Sequence, residues 1–221
     1  METTLVAAQT LATGLIAAWL TLGVRDNLLH PSVNEVYTAE VMEMTRMRDE
    51  YPDAFAPVAH RAVTDRRLQL LAFRAVVAAE LVATLLLWAG VVGLLMALVG
   101  TGTVAGGRSI AMIGAMAFTA VWAGFLIVGN HFCYWFCHEG AQNTHYQMTL
   151  WGGGTMILLG LGWISANRAS GRCSKDAARA PAAQTTGPTA RCSASTSAPP
   201  SRSSRSTLAK WASSRTRSSI S

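Results

Sequence analysis

Charged residues are scarce in this chain, and long stretches contain none. Only 14% of the 221 residues are Asp, Glu, Lys or Arg, whereas 51% are hydrophobic. Soluble domains usually carry about 25% charged residues. The composition therefore favours a membrane protein over a soluble one.

The motifs of common enzyme classes are also missing. The sequence contains no Walker phosphate-binding loop, no dinucleotide-binding glycine fingerprint and no serine nucleophile elbow. The four cysteines form no disulfide framework, because two lie in an aromatic segment and two, Cys173 and Cys192, lie near the C-terminus. The sequence thus predicts no catalytic residue and no cofactor, and it favours a protein that is not an enzyme.

The net charge of +6 belongs mainly to the C-terminal part of the chain, because ten of the 18 Lys and Arg residues lie at or after Arg168. We see no basic groove with interleaved aromatic residues, which single-stranded nucleic acid would need. No nucleic-acid partner is therefore expected.

Residues 169–221 are rich in Ser, Ala, Arg and Pro and poor in large apolar side chains. Such a segment cannot repay the entropy of folding, so we predict a disordered, basic tail. The abrupt change in composition also fits a GC-rich gene read out of frame, in which case the native protein ends differently.

Four apolar runs are long enough to cross a bilayer, since about 20 helical residues cover a hydrocarbon core of about 30 Å. They predict spans at about residues 5–24, 75–99, 110–130 and 148–165. The last run is the shortest and begins with three glycines. The sequence therefore predicts an all-α, membrane-spanning bundle of four helices within residues 1–168.

The connection between the first two spans is too polar to insert, and we predict short helices outside the membrane. Ser32 and Glu35 have the spacing of a capping box, which predicts a helix start. Pro52 should end that helix, and Pro57 should begin another that runs into the second span. This helical loop either lies on the membrane or caps the bundle.

Small residues recur every four positions in the third span, at Ala111, Ala115, Thr119 and Ala123. Small side chains allow helix backbones to approach closely in lipid. We expect this stripe to contact another helix.

Helix directions alternate in such a bundle, so the end of the first span and the start of the second meet the end of the third and the start of the fourth. This arrangement predicts one candidate polar cluster, formed by Asn27, Arg74, Glu80, Asn130, His131, His138 and His145. Glu80 lies within a span, where an acidic residue costs about 2.5–3.5 kcal/mol at mid-helix and is a functional candidate. The alternative is a structural pair, with Arg74, His131 or His145 as partner.

The segment after the third span mixes metal-ligand residue types with aromatic residues. The candidate ligands are His131, Cys133, Cys137, His138 and His145. Their spacing matches neither a zinc ribbon nor a haem attachment motif. The alternative interpretation is an aromatic belt at the membrane surface, in which buried cysteines act as small hydrophobic residues.

Several separated features resemble the bacterial family of predicted small integral membrane proteins grouped as domain of unknown function 2165. They are Asn27-Leu28-Leu29 followed by Asn34, the stretch 60–63, Glu80, and the segment 129–148. The resemblance implies four spans and a bacterial inner (cytoplasmic) membrane, and it implies no established activity.

Three functional hypotheses follow. The first is a non-catalytic accessory or interaction subunit in the lipid bilayer, with a membrane-protein partner or a second copy of itself. The second is a membrane redox or metal-binding protein that uses the segment 131–145, and the third is a small proton-coupled transporter that uses Glu80. The loop between the last two spans lacks Lys and Arg, which favours both termini in the cytoplasm.

Overall fold

The computed structural model describes the backbone of residues 2–179 and the side chains of residues 2–162. The chain divides into two units, Met1–Ala169 and Ser170–Ser221. The described part is helical and contains no strand. Its helices are α1 (Glu2–Leu29), α2 (Pro31–Glu43), α3 (Thr45–Glu50), α4 (Pro52–Phe55), α5 (Arg66–Leu98), α6 (Val104–His131) and α7 (Glu139–Arg179), with 3-10 segments at Ala56–Arg61 and Tyr134–Phe136.

Within the described residues, three helices are long and apolar enough to cross a membrane, namely α1, α5 and α6. They contain the predicted spans 5–24, 75–99 and 110–130 to within one residue, and each extends beyond its apolar run. The predicted fourth run, 148–165, lies inside α7. The all-helical membrane fold predicted from the sequence is therefore confirmed.

The helices α5 and α6 approach each other closely along a seam of small residues. A Cβ atom placed on Gly90 would lie 2.5 Å from the Cα atom of Ala111, and one on Gly114 would lie 2.8 Å from the backbone nitrogen of Leu87. Further along the same stripe, Thr119 lies against Gly152 of α7. The prediction that the small-residue stripe contacts another helix is confirmed, and the stripe contacts two.

The connections outside the spans pack together into an outer layer, which we define as residues 31–61 and 132–138. Its core contains five buried residues, contributed by both connections: Met44, Met47, Phe132, Cys133 and Cys137. Since this core is shared, the two connections form one folded unit.

Two details of the outer layer differ from the sequence-based expectation. Ser32 and Glu35 form no capping box, because Pro31 already begins α2 and the residue before it makes no side-chain cap. Pro57 lies in a 3-10 segment that ends before α5, and α5 starts afresh at a cap in which Asp65 accepts from the Arg67 amide. Both predictions were wrong, because prolines and a local aspartate cap set the helix starts.

The helix α7 continues to Arg179 and so passes the predicted domain boundary at residue 168. The disorder predicted for the remainder of the tail falls on residues 180–221, outside the described part.

Candidate functional site

Glu80 is buried in the bundle and is held by a chain of side-chain hydrogen bonds. Asn34 of α2 donates to the Asn27 side-chain oxygen at 2.6 Å, and Asn27 of α1 donates to Glu80 of α5 at 2.8 Å. Only 5% of the Glu80 surface is exposed. The chain of bonds joins two spans to the outer layer, so its first structural effect is to fix these three helices together.

The other residues of the predicted polar cluster make no hydrogen bond or ion pair with Glu80 among the described residues. Arg74 is exposed and its side chain makes no hydrogen bond or ion pair with any described residue. Asn130 and His131 are exposed at the end of α6, where the His131 carbonyl accepts from Arg61 at 3.4 Å. The structure thus brings Asn27 to Glu80 but places the expected cationic partners elsewhere.

His138 forms a second contact between the two connections. Its Nδ1 atom lies 3.0 Å from the Tyr37 hydroxyl, and the two rings pack edge to face. Burial lowers the pKa of His138, although the nearby Glu40 opposes this shift. Burial likewise raises the pKa of the Tyr37 hydroxyl. A neutral histidine and a protonated tyrosine are the forms that this contact favours.

The two cysteines of the candidate metal segment are free thiols inside the outer-layer core. Burial raises the pKa of Cys137, which disfavours the thiolate that a metal ion needs. Among the described residues, no three His, Cys, Asp or Glu side chains are grouped closely enough to hold a metal ion. The arrangement of this segment thus resembles hydrophobic packing more than a ligand set.

His145 lies in an aromatic cluster between α6 and α7. Its ring stacks on Phe125 at 4.6 Å and on Tyr134 at 5.9 Å, and it also contacts Trp122. The His145 Nδ1, Tyr134 hydroxyl and Trp122 indole nitrogen are buried without a hydrogen-bond partner. The structure therefore places the His145 ring among aromatic rings.

A second buried polar cluster lies at the opposite end of the spans and was missed in the sequence. Arg108 donates from Nε to the Gln9 side chain at 2.8 Å, and Gln9 donates to the Leu158 carbonyl of α7 at 2.9 Å. Arg108 precedes the predicted third span, which starts at about residue 110, but Thr103 caps α6 ahead of it and so includes it in the helix. The sequence feature that could have indicated this cluster is Gln9, a long amide side chain within an uncharged span.

The core between the two polar clusters is apolar. Its fully buried large side chains include Ile16, Leu20, Leu87, Leu94 and Phe118. The hydroxyls of Thr13 and Thr84, which lie nearest the clusters, bond to carbonyls of their own helices. No polar side chain of the described core links one cluster to the other.

Comparison with known proteins agrees with this architecture. A search of curated proteins and a search of solved structures each returned no match. The model of one protein family matches residues 5–162, which include the spans, the outer layer and both polar clusters. The chain therefore belongs to the family of predicted small integral membrane proteins known as domain of unknown function 2165.

Proposed function

We propose that this protein is a non-catalytic membrane subunit that presents its outer layer to a membrane-protein partner or to a second copy of itself. The observation that carries the proposal is the chain of hydrogen bonds from Asn34 through Asn27 to Glu80. Buried polar groups used in this way stabilise helix contacts in a membrane. They hold the outer layer in a fixed position on the spans, which is what a docking platform requires.

The proposal includes α7 as a fourth span. Three contacts support it: Gly152 packs against Thr119 of α6, Leu159 is fully buried in the core of the bundle, and Gln9 of α1 bonds to the Leu158 carbonyl. A helix that lay on the membrane surface would not reach both α1 and α6. We therefore place residues 148–165 across the bilayer.

Proton-coupled transport is less favoured by the same geometry. A transporter needs a polar route that reaches its coupling residue from both sides. Between Glu80 and the Arg108 cluster, the described core is closed by fully buried residues such as Leu87 and Phe118. Glu80 therefore fits a structural role better than a coupling role.

We also propose a bacterial inner membrane, with both termini in the cytoplasm and the outer layer on the opposite face. The short loop between α6 and α7 has no Lys or Arg, as the positive-inside rule expects for a loop outside the cytoplasm.

Photo-crosslinking in native membranes tests the docking role. A photoreactive amino acid replaces the exposed Asp53 of the outer layer in one variant and the lipid-facing, 53%-exposed Ile113 in the other. We expect a protein-sized adduct from position 53 and lipid adducts alone from position 113. If position 53 gives no protein adduct and the purified protein is a lone monomer in mild detergent, the accessory role is wrong.

Thiol labelling of intact cells tests the span count and orientation. In a variant with Cys133 and Cys137 replaced by serine, Cys173 and Cys192 report the side of the tail. Cysteines placed at Asn143 and Thr101, both exposed, report the two faces of the bundle. An impermeant reagent should label position 143 only; labelling of position 143 together with the tail cysteines would mean that α7 does not cross.

A further inference from the structure

A groove of about 280 Å³ lies where the end of α1, the start of α2 and the first turns of α5 meet. Its walls are mainly apolar and include Leu28, Phe73 and Val77. Pockets for whole small molecules usually have about 300–1,000 Å³. The groove is therefore too small for a whole small molecule, but it fits part of one acyl chain of an amphiphile, with the rest of that molecule outside.

Some polar side chains at the groove have hydrogen-bond or ion-pair partners within the protein, and one does not. Glu35 forms an ion pair with Arg66, and Asn27 bonds to both Asn34 and Glu80. Arg74 also lines the groove, and its guanidinium has no hydrogen-bond or ion-pair partner among the described residues. A free guanidinium presents a fork of N–H donors that matches the oxygens of a phosphate.

The two apolar runs that border the groove indicate its position relative to the bilayer. The first run ends at Val24, one turn before Asn27 and Leu28, and the second begins at Ala75, directly after Arg74. Both runs are long enough to fill the hydrocarbon core. Arg74 therefore lies at the boundary between hydrocarbon and headgroups, where lipid phosphates are found.

Exposed apolar side chains lie on the same helices that form the groove. Leu28 and Leu29 at the end of α1 are 58% and 65% exposed, and Val82 and Leu85 on α5 are 55% and 62% exposed. These side chains are expected to face acyl chains, and Leu28 also lines the groove. A peptide partner would bring backbone N–H and C=O groups that these apolar walls leave without partners.

We propose that this groove binds one glycerophospholipid, whose phosphate pairs with Arg74 and one of whose acyl chains lies against Leu28 and Leu70. The ion pair between Glu35 and Arg66 neutralises the carboxylate that would otherwise repel the phosphate. Such a lipid would fill the space between α1, α2 and α5 and so support the position of the outer layer. Lipid binding in this groove does not require that the outer layer docks a partner.

Native mass spectrometry of the full chain with added phosphatidylglycerol tests the site. We expect one lipid per chain that survives detergent exchange, and Arg74→Gln should weaken its binding about five-fold, which corresponds to about 1 kcal/mol for one arginine near a lipid surface. The matched control is Arg67→Gln, an exposed arginine two turns earlier in α5 that does not line the groove. Equal retention by wild type and Arg74→Gln, or an equal loss in Arg67→Gln, would overturn the proposal.

A second pair of variants tests the apolar part of the groove without removing a charge. Leu28→Trp should fill the groove and reduce lipid retention, while Leu29→Trp, on an equally exposed neighbour outside it, should leave retention unchanged. Free glycerol 3-phosphate should not compete with phosphatidylglycerol at millimolar concentration. Competition by it, or equal effects of the two tryptophans, would show that no acyl chain is held there.

Discussion

The Arg108 guanidinium bonds to the Gln9 side chain at 2.8 Å inside the bundle, more than 90 residues away in sequence. Gln9 continues the contact to the Leu158 carbonyl, so α1, α6 and α7 meet at one polar point. One terminal nitrogen of Arg108 is buried there without a partner. Because a buried charge is costly when its contacts are disturbed, this point should be sensitive to substitution.

We predict that Gly162→Leu destabilises the bundle by about 1–3 kcal/mol, the usual cost of overpacking. Gly162 lies directly against the Arg108 guanidinium, so any side chain there displaces it from Gln9. The control is Gly160→Leu, because a Cβ atom on Gly160 meets open space. Thermal unfolding in mild detergent measures both variants, and equal melting temperatures for the two would contradict the assigned packing.

Glu80→Gln should lower the stability by less than about 2 kcal/mol, because its amide oxygen can still accept from Asn27. Glu80→Leu should cost more, since it leaves the buried Asn27 amide without an acceptor, a penalty of about 1–3 kcal/mol. Membrane accumulation and thermal unfolding measure the difference. A Gln variant that fails to accumulate would instead indicate an obligatory charge at this position.

The stability of the protein should fall as the pH drops below about 6.5, the pKa of an unperturbed histidine. Burial lowers the pKa of His138 in the folded protein, so the unfolded chain binds more protons in this range and gains stability relative to the fold. Glu40, Arg46 and Glu50 surround the ring but act less strongly than burial.

The variant His138→Gln should remove this part of the pH dependence, whereas His30→Gln, at an exposed position, should leave it. Melting temperatures from about pH 7.5 to 5.5 follow the effect across the unperturbed histidine pKa. An unchanged slope in His138→Gln would rule out His138 as its source.

Gly90→Ala should destabilise the pair of α5 and α6 by about 1–3 kcal/mol through overpacking. The added methyl group would contact the Ala111 backbone, which cannot move aside as a flexible side chain can. Gly124→Ala serves as the control in α6, where a Cβ atom meets nothing within 4 Å. That variant should be neutral or up to about 1 kcal/mol more stable, because alanine favours helix; a loss of stability there would contradict the packing.

The membrane helices could be predicted from the sequence because each rests on a local property, an uncharged run of sufficient length. The small-residue stripe could be predicted for the same reason, because its repeat lies within one segment of the sequence. Two of its residues, Ala111 and Ala115, are fully buried. The partner of Glu80 was not predicted, because it depends on which residue of another helix faces the carboxylate. The predicted partners were Arg74, His131 or His145, but the buried partner is the neutral amide of Asn27, another residue of the predicted cluster.

The breaks in the outer layer show another limit of local reasoning. Met44 adopts a left-handed conformation at φ 54° and separates α2 from α3, although methionine is not a typical residue for such a position. Its side chain is buried in the outer-layer core, so tertiary packing outweighs the local preference. The predicted third span likewise starts too late, at about residue 110, because the Thr103 cap begins α6 earlier and places Arg108 inside the helix.

The long sequence separation of the Gln9 contact determines the order in which the bundle can assemble. The α5–α6 hairpin needs only the turn at residues 99–103 and can close as soon as both helices are made. Asn27 must wait for Glu80, 53 residues later, and Gln9 must wait for a carbonyl 149 residues later. The first helix to leave the ribosome thus gains its last polar contact only when α7 is made, and a chain truncated before α7 would lack the bond from Gln9 to the Leu158 carbonyl.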